Sequence, residues 1–492
     1  MDVLLLDPGA AGSANWTIGV LAMPIKMALV QLYSYLRHHQ KRGEPALSGV
    51  KLHICDLEWE LEQPEDSSTF PRYAADVRDR LLRESFDLLA ISCWSSLKYR
   101  TTLLVAEIAK AINPGCKIVV GGWHPSALPS DFLFEGSPVD HVITREGEHA
   151  LLDLLRNWPK LPTQQIITST LVSPDEEVEL LWDEYPLSHK IPTAPIFFSR
   201  GCPFTCSYCM EPFTKGRSWR ALPPEDAVGR LLHLVKTRNT RYIDVHDPIF
   251  APQKTWRRTF LRGLIDAGFD RYMWCESRSD LFEEEDLALF GQLPIQMDFG
   301  TESASAEMLS IMSKTRNPAL YLERSRQTLW AASRRGLASQ VYLITRHPGE
   351  RMQHVQETLA WFDHLLEGMG ETALLQVSAQ PYRYYPGTAV MNDRAGYYER
   401  YGTEVLEDGW WRNDGDPRET SACTVDTHLS ETERQDIAGT WEVGLARLNQ
   451  ILLTRRSDVA ARTQALRTAS YIDLTLATMR LRAESGLKSP QG

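Results

Sequence analysis

The chain has 492 residues, too many for one ordinary core, and 43% of them are hydrophobic, enough for two or three packed domains. Lys and Arg number 53 against 64 Asp and Glu, a formal net charge of −11, which argues against generic binding to nucleic acid or to an anionic membrane surface. The opening MDVLLLDPGAAG has too short an apolar run for a signal peptide, no stretch reaches membrane-spanning length, and eight cysteines are too sparse for a disulfide scaffold, so a cytoplasmic protein with reduced thiols is expected.

Residues 1–160 alternate strand and helix. Strands are expected at VLLLD (Val3–Asp7), KLHICDLE, DLLAISCW, CKIVVGG and HVITREGE, with helical patterns between them. The strands are continuous apolar runs, as a parallel sheet covered on both faces requires. This predicts an α/β, doubly wound, Rossmann-like domain, with ligands at the carboxyl ends of the strands. Those ends carry Asp7-Pro8-Gly9, Ser92-Cys93-Trp94-Ser95, Gly121-Gly122-Trp123-His124 and Arg145-Glu146-Gly147-Glu148. Asp56, Glu58 and Glu60 read as a solvated stretch, and His124 as a hydrogen-bonded loop residue. Residues 161–195 read as a connector, with a small hairpin at QQIITSTLV and VELLWD followed by three prolines.

From 196 to 390 the alternation restarts. Strands are expected at IFFSR, RYIDVHD, YMWCESR, IQMDFGTES, SQVYLITR and ALLQVSAQPYR. Six strand–helix units predict a partial (β/α)6 barrel. Residues 391–492 read as mostly helical.

The stretch FFSRGCPFTCSYCMEP sets Cys202, Cys206 and Cys209 at spacing C-x3-C-x2-C, just after the first barrel strand. A closed zinc site wants four ligands, normally as two pairs, and this spacing offers no second pair. A disulfide with a spare thiol conflicts with the compartment. The favoured reading is a [4Fe-4S] cluster with one iron left open, because each iron of the cube wants a thiolate and only three are supplied. Zinc and chance remain as lesser alternatives. Lone thiols such as Cys275 and Cys423 usually end as inert buried groups.

CPFTCSYC resembles the signature of the radical S-adenosylmethionine (AdoMet) superfamily. DVHDPIF, CESRSD, GTESASAEMLSIMSK and YYPGTAV resemble its later strand-end segments, while LITRHPGE departs from the usual form at Arg346 and His347. VVGGWHPSALP and VITREGEHALLDLL resemble the cobalamin (B12)-binding domain that precedes the barrel in B12-dependent members, although Trp123 replaces the usual proline and no DxHxxG motif is present to supply a lower histidine ligand. The resemblance implies three cofactors: the cluster on Cys202, Cys206 and Cys209, AdoMet, and cobalamin. It implies AdoMet contacts from Tyr208, Asp247, Arg278, Glu302 and Ser303. It implies cobalamin contacts from Gly9, Ser92, Trp94, Ser95, Gly121, Gly122, Arg145, Glu146 and Gly147. Plainer readings stand beside these: Glu302 and Ser303 as a helix cap, Arg278 as an ion pair, Tyr208 as packing, and Tyr382–Gly387 as a barrel closure.

The implied chemistry is methylation of an unactivated carbon by methyl transfer from cobalamin, with a 5′-deoxyadenosyl radical removing the substrate hydrogen. The acceptor would be a natural-product or peptide intermediate, and a flavodoxin- or ferredoxin-type donor would supply electrons. Cyclisation, ring contraction or rearrangement is the competing outcome, and loss of cobalamin from the N-terminal domain is another. No nucleic acid and no membrane is expected as a partner.

Overall fold

The computed structural model describes the chain apart from residues 12–24, 159, 161–163, 187, 239, 370–373, 414–423, 456–460, 463–464, 470–471, 474–475 and 478–492. Cys423 and much of the expected C-terminal helix beyond residue 455 lie outside the described residues.

Six parallel strands form the first sheet: β1 Asp2–Asp7, β2 Lys51–Asp56, β3 Leu88–Ser92, β4 Lys117–Gly121, β5 His141–Thr144 and β6 Gln165–Thr168, in the order β2-β1-β3-β4-β5-β6. Alternate residues serve opposite layers, because strand side chains alternate with period two. Val3, Leu5, Leu88, Ala90, Val119 and Ile143 pack with the helices Met27–Lys41 and Glu148–Arg156. Leu4, Leu6, Leu89, Ile91, Ile118 and Val120 pack with the helices Phe70–Leu81 and Tyr99–Ile112. This is the expected doubly wound arrangement, and the order reverses between β1 and β3, where ligands of such sheets sit.

Two expectations fail in this half. QQIITSTLV does not turn back as a hairpin; β6 joins the sheet edge parallel to β5, and Val178–Leu181 is irregular chain leading into a helical turn at Trp182–Glu184. Asp56 and Glu58 are not solvated. Asp56 is buried and receives the Tyr185 hydroxyl, while Glu58 pairs with Lys98 at 2.9 Å and Lys26 at 3.2 Å. Glu60 pairs with Arg80. Burial alone would raise the Glu58 carboxyl; the two lysines outweigh it and hold it at about 2.

The second sheet runs β14-β13-β12-β11-β10-β7, all parallel: β7 Thr193–Ile196, β10 Tyr242–Val245, β11 Tyr272–Arg278, β12 Ile295–Glu302, β13 Ser339–Thr345 and β14 Leu374–Pro381. Its outer β7 and β14 are not paired with each other, so the barrel is partial. The first strand stops at Ile196, short of the expected IFFSR. Ser199–Arg200 (β8) leaves the sheet and pairs antiparallel with Arg220–Ala221 (β9), closing the loop that carries the three cysteines. The C-terminal part contributes a short antiparallel pair, β15 Thr403–Val405 with β16 Thr424–Asp426, and the helix Glu431–Thr454, capped by a Ser430/Glu433 box, which lies against β14.

One apolar cluster runs from the first sheet through Leu180, Trp182, Tyr185 and Ile191 into the barrel, so the connector is packed on both sides. Charges complete the joint. Arg200 is buried between Glu148 (2.7 Å), Glu146 (3.7 Å) and Glu177, and Arg220 reaches Glu146 at 2.6 Å. Removing one partner of a buried pair strands the others, at a cost of about 3–5 kcal/mol. Arg200→Met is expected to lower stability by that amount in urea denaturation, and Arg200→Lys to lose clearly less.

Candidate cofactor sites

The cysteine loop is pinned from the neighbouring strand. Asp247, just past β10, accepts the backbone N–H groups of Phe198 (2.7 Å) and Ser199 (3.2 Å) and the Ser199 hydroxyl. The structure thus spends this carboxylate on the backbone that leads into the loop. Gly201 turns the chain at φ +75°, where a Cβ would stand 2.3 Å from the Ser218 carbonyl oxygen. The Cys202 N–H donates to Gly216 (3.3 Å) and that of Ser207 to Met312 (2.9 Å). The three thiols are free and half-buried, and backbone N–H groups of Phe204 and Glu211 donate to the sulfurs of Cys202 and Cys209. Hydrogen bonds to sulfur suit thiolates that hold a cluster.

Three sequence-selected residues meet beside this loop. The Arg278 guanidinium lies 3.9 Å from the centre of the Phe204 ring, pairs with Asp280 at 2.9 Å and donates to the Lys314 carbonyl at 2.8 Å. Lys314 Nζ links Glu302 Oε1 (3.0 Å) to the Tyr208 hydroxyl (3.3 Å). Lys314 closes the segment GTESASAEMLSIMSK but carries no acid or nucleophile signal, so the sequence reading passed over it. Ser303 stands apart: its Oγ accepts the Ser305 N–H and meets Thr358, the helix-start role. The buried His347 meets Ser207 at 3.3 Å, so the departure in LITRHPGE packs against the cysteine loop. Arg145, Glu302 and Arg346, at the ends of β5, β12 and β13, all take positive φ (71°, 68° and 56°), and strain of this kind gathers at functional rims.

A cavity of about 260 Å3 opens at the carboxyl ends of the first sheet. Its floor is apolar, with Ala90, Val119, Ile143 and Leu151 among its residues. Ser92, Trp94, Gly121, Gly122, Arg145, Glu146 and Gly147 line it, and Gly9 and Ser95 do not. Gly9 turns against Gln63, and Ser95 caps the turn at Leu97. Glu146 is also engaged elsewhere, by Arg220 and by the Val172 N–H at 2.6 Å. The barrel supplies the remaining wall: Phe197, Arg200, Thr214, Lys215 and His246. His124 holds Ser96 (2.8 Å) and Asp131 (3.1 Å) in the hydrogen-bonded role expected of it. Cys275 is buried beside Met297, and burial pushes its thiol well up. Tyr382 and Tyr384 are buried in the cluster shared with the first sheet's outer layer, which is the closure role.

The sequence matches the B12 binding domain over residues 47–155 and the radical SAM superfamily over residues 196–362. The chain belongs to the B12-binding radical AdoMet enzymes. An uncharacterised methyltransferase of Pyrococcus horikoshii is 26% identical over 58% of this chain and 66% of its own. An anaerobic magnesium-protoporphyrin IX monomethyl ester cyclase of Rubrivivax gelatinosus is 23% identical over 57% of this chain and 55% of its own. The match therefore spans between half and two thirds of these relatives. The cobalamin-dependent AdoMet radical enzyme OxsB, solved with aqua-cobalamin, superposes with a TM-score of 0.65 at 15% identity over 98% of this chain and 80% of that one, a likeness of fold. Among the described residues, no helix of this B12-binding radical AdoMet enzyme is long and apolar enough to cross a membrane.

The family's cofactors are a [4Fe-4S] cluster, AdoMet and cobalamin, and the residues fit them. The three free thiols share one pinned loop. The cavity has an apolar floor, a glycine rim and a buried Trp94 Nε1 with no partner among the described residues. Gly122 takes φ +125°, and a Cβ there would lie 2.4 Å from the Cys93 carbonyl oxygen. Gly122→Ala is expected to weaken cobalamin retention about tenfold or more, near 1.4 kcal/mol, with cluster iron unchanged, read by cobalamin and iron content after reconstitution.

Burial raises the Asp247 carboxyl to about 7. The folded protein then holds that proton at pH values where the unfolded chain has lost it, so stability is present at low pH and lost as pH rises through about 7. Between about pH 5 and pH 8 the wild type is expected to lose about 2 kcal/mol relative to Asp247→Asn in urea denaturation.

Proposed function

We propose that this enzyme is a cobalamin-dependent radical AdoMet methyltransferase acting on an unactivated carbon of a natural-product or peptide intermediate. The observation that carries the reading is the shared cavity: Trp94, Gly122 and Arg145 of the first sheet and Phe197, Arg200 and His246 of the barrel line one space. A methyl carrier and a radical generator can serve one acceptor only if their sites open on a common chamber. When bound, the cluster supplies the electron that cleaves AdoMet, and cobalamin supplies a transferable methyl group.

The chain's own residues position and enclose. Arg200 is buried against the first domain's Glu146 and Glu148 and directly precedes Gly201 and Cys202, so it sets the cysteine loop against the cavity rim. Asp247 fixes the backbone entering that loop. Tyr208, Lys314 and Glu302 form a linked polar wall beside the cysteines, suited to the polar parts of AdoMet. Phe197 and Trp94 supply apolar cover that keeps water from a radical.

The methyltransferase name of the Pyrococcus relative supports this outcome, and the cyclase name of the Rubrivivax relative supports the second reading, a B12-dependent cyclisation or rearrangement. Anaerobic incubation of reconstituted enzyme with methyl-labelled AdoMet, hydroxocobalamin and a low-potential reductant separates them. The expected result is label in the extracted cobalamin together with S-adenosylhomocysteine. Unlabelled cobalamin with 5′-deoxyadenosine as the sole AdoMet product would reject methylation in favour of ring or skeleton chemistry.

A further inference from the structure

The barrel strands have two faces of very different character. Ile243, Met273, Cys275, Met297, Phe299, Val341 and Val377 face the helices and belong to the apolar core. The alternate positions face the lumen and are almost all polar. Asp244 pairs in register with Trp274, Glu276 with Asp298, and Tyr342 with Ser378, so these side chains share one wall. The amino end is covered by the C-terminal segment, where Arg467 donates to Gln340 (2.6 Å) and Asp473 accepts the Tyr242 hydroxyl (3.0 Å).

The lumen's carboxylates fall into two kinds. Asp298 is satisfied: Trp274 Nε1 (2.8 Å), Tyr342 OH (3.1 Å) and Gln296 Nε2 (2.8 Å) donate to it, and the Arg467 charge acts on it. Glu276 and Asp244 have no hydrogen-bond or ion-pair partner among the described residues. Arg278 and Lys314, the nearby cations, are already held by Asp280 and Glu302. Glu276 is accessible to water, yet burial, then Asp298 and Glu302, raise its carboxyl to about 8; burial alone raises Asp244 to about 6. Glu276 is exposed although β11 is an interior strand of the sheet and the opposite face carries the helices, so its side chain faces open space inside the partial barrel.

We propose that the lumen receives a hydrophilic substrate through a protonated amine, taken up by Glu276 with Asp244 in support. A carboxylate set beside the like charges of Asp298 and Glu302 and without a partner is costly, and a ligand cation removes that cost through a charge-assisted hydrogen bond. A hydrocarbon acceptor would instead leave Glu276, Asp244 and the glutamines of β14 unsatisfied. The inference rests on the proposed reaction, with the acceptor's reacting carbon toward the shared cavity and its polar end in the lumen, since Glu276 and Asp244 do not line that cavity.

The test is calorimetric titration of the reconstituted holoenzyme, with AdoMet present, using tyramine, tryptamine and isoamylamine, each beside its N-acetyl derivative. At least one amine is expected to bind tenfold or more tightly than its acetylated partner. At pH 7 its binding is expected to release protons to the buffer as Glu276 ionises. Glu276→Gln is expected to abolish both effects, Glu276→Asp to keep the preference, and Asp244→Asn to reduce it. Cluster iron and bound cobalamin, measured in each variant, report on folding. Absence of any amine preference, a preference undiminished in Glu276→Gln, or amines that displace AdoMet would each overturn the proposal. Label transfer from AdoMet to cobalamin in the wild type needs no acceptor, so its failure counts against the methyltransferase reading alone.

Discussion

The buried ionic joint between Arg200, Arg220 and Glu146, Glu148 and Glu177 is the constraint on which the two cofactor rims depend. Taking five charges out of water costs roughly what their mutual attraction returns, so the net stability gained is small. What the joint supplies is registration. Apolar surfaces slide at little cost, whereas these groups are satisfied only when the end of β5 stands opposite the β8/β9 ladder. Arg200 immediately precedes the turn into the cysteine loop, and Glu146 and Glu148 flank Gly147 on the cavity wall. The same ions therefore locate the cluster loop and the cobalamin cavity relative to each other.

A second ionic group serves the opposite rim. Lys98 bridges Asp7 and Glu58, Lys26 reaches Glu58, and Tyr185 of the connector donates to Asp56. It ties the ends of β1 and β2 to the start of the helix Met27–Lys41, at the point where strand order reverses. The middle of the connector is thus fixed at two points, by Tyr185 here and by Glu177 on Arg200. A segment that reads in sequence as a joiner acts as a clamp.

The sequence reading reaches furthest where information is local. Cysteine spacing, strand periodicity and the residues at strand ends all lie within a few positions of one another, and they single out residues that the fold gathers: three cysteines in one loop, Tyr208, Arg278 and Glu302 beside it, and most of the cavity rim. It failed where partners are distant. Asp56 and Glu58 look like a charged surface run until Tyr185, Lys98 and Lys26 are brought to them. The bonds from Asp247 to Phe198 and Ser199, almost fifty residues earlier, leave no local mark in the sequence. QIIT looks like half of a hairpin because it is a short edge strand exposed along most of its length, and nothing nearby in sequence points to β5 as its neighbour. Glu276 and Asp244 gave no signal, because a carboxylate facing a lumen and one facing solvent have the same local pattern.

The two hollows differ in chemistry, and the difference separates what the family shares from what this chain selects. The cavity at the carboxyl ends of the first sheet is mostly apolar and glycine-rimmed, suited to the cofactor that B12-binding domains share. The barrel lumen is hydrophilic and carries two uncompensated carboxyl groups. The cysteine loop takes one contact from a lumen-facing residue of β11, the Arg278 guanidinium against Phe204, and none from Glu276 or Asp244. These two side chains can therefore change without moving the cluster or the cavity rim, as rigid positioning of a reactive centre requires. Relatives bearing methyltransferase and cyclase names can keep the same rims and differ in the few side chains that hold the acceptor, so the choice of acceptor is to be sought at Glu276, Asp244 and their neighbours on the lumen wall.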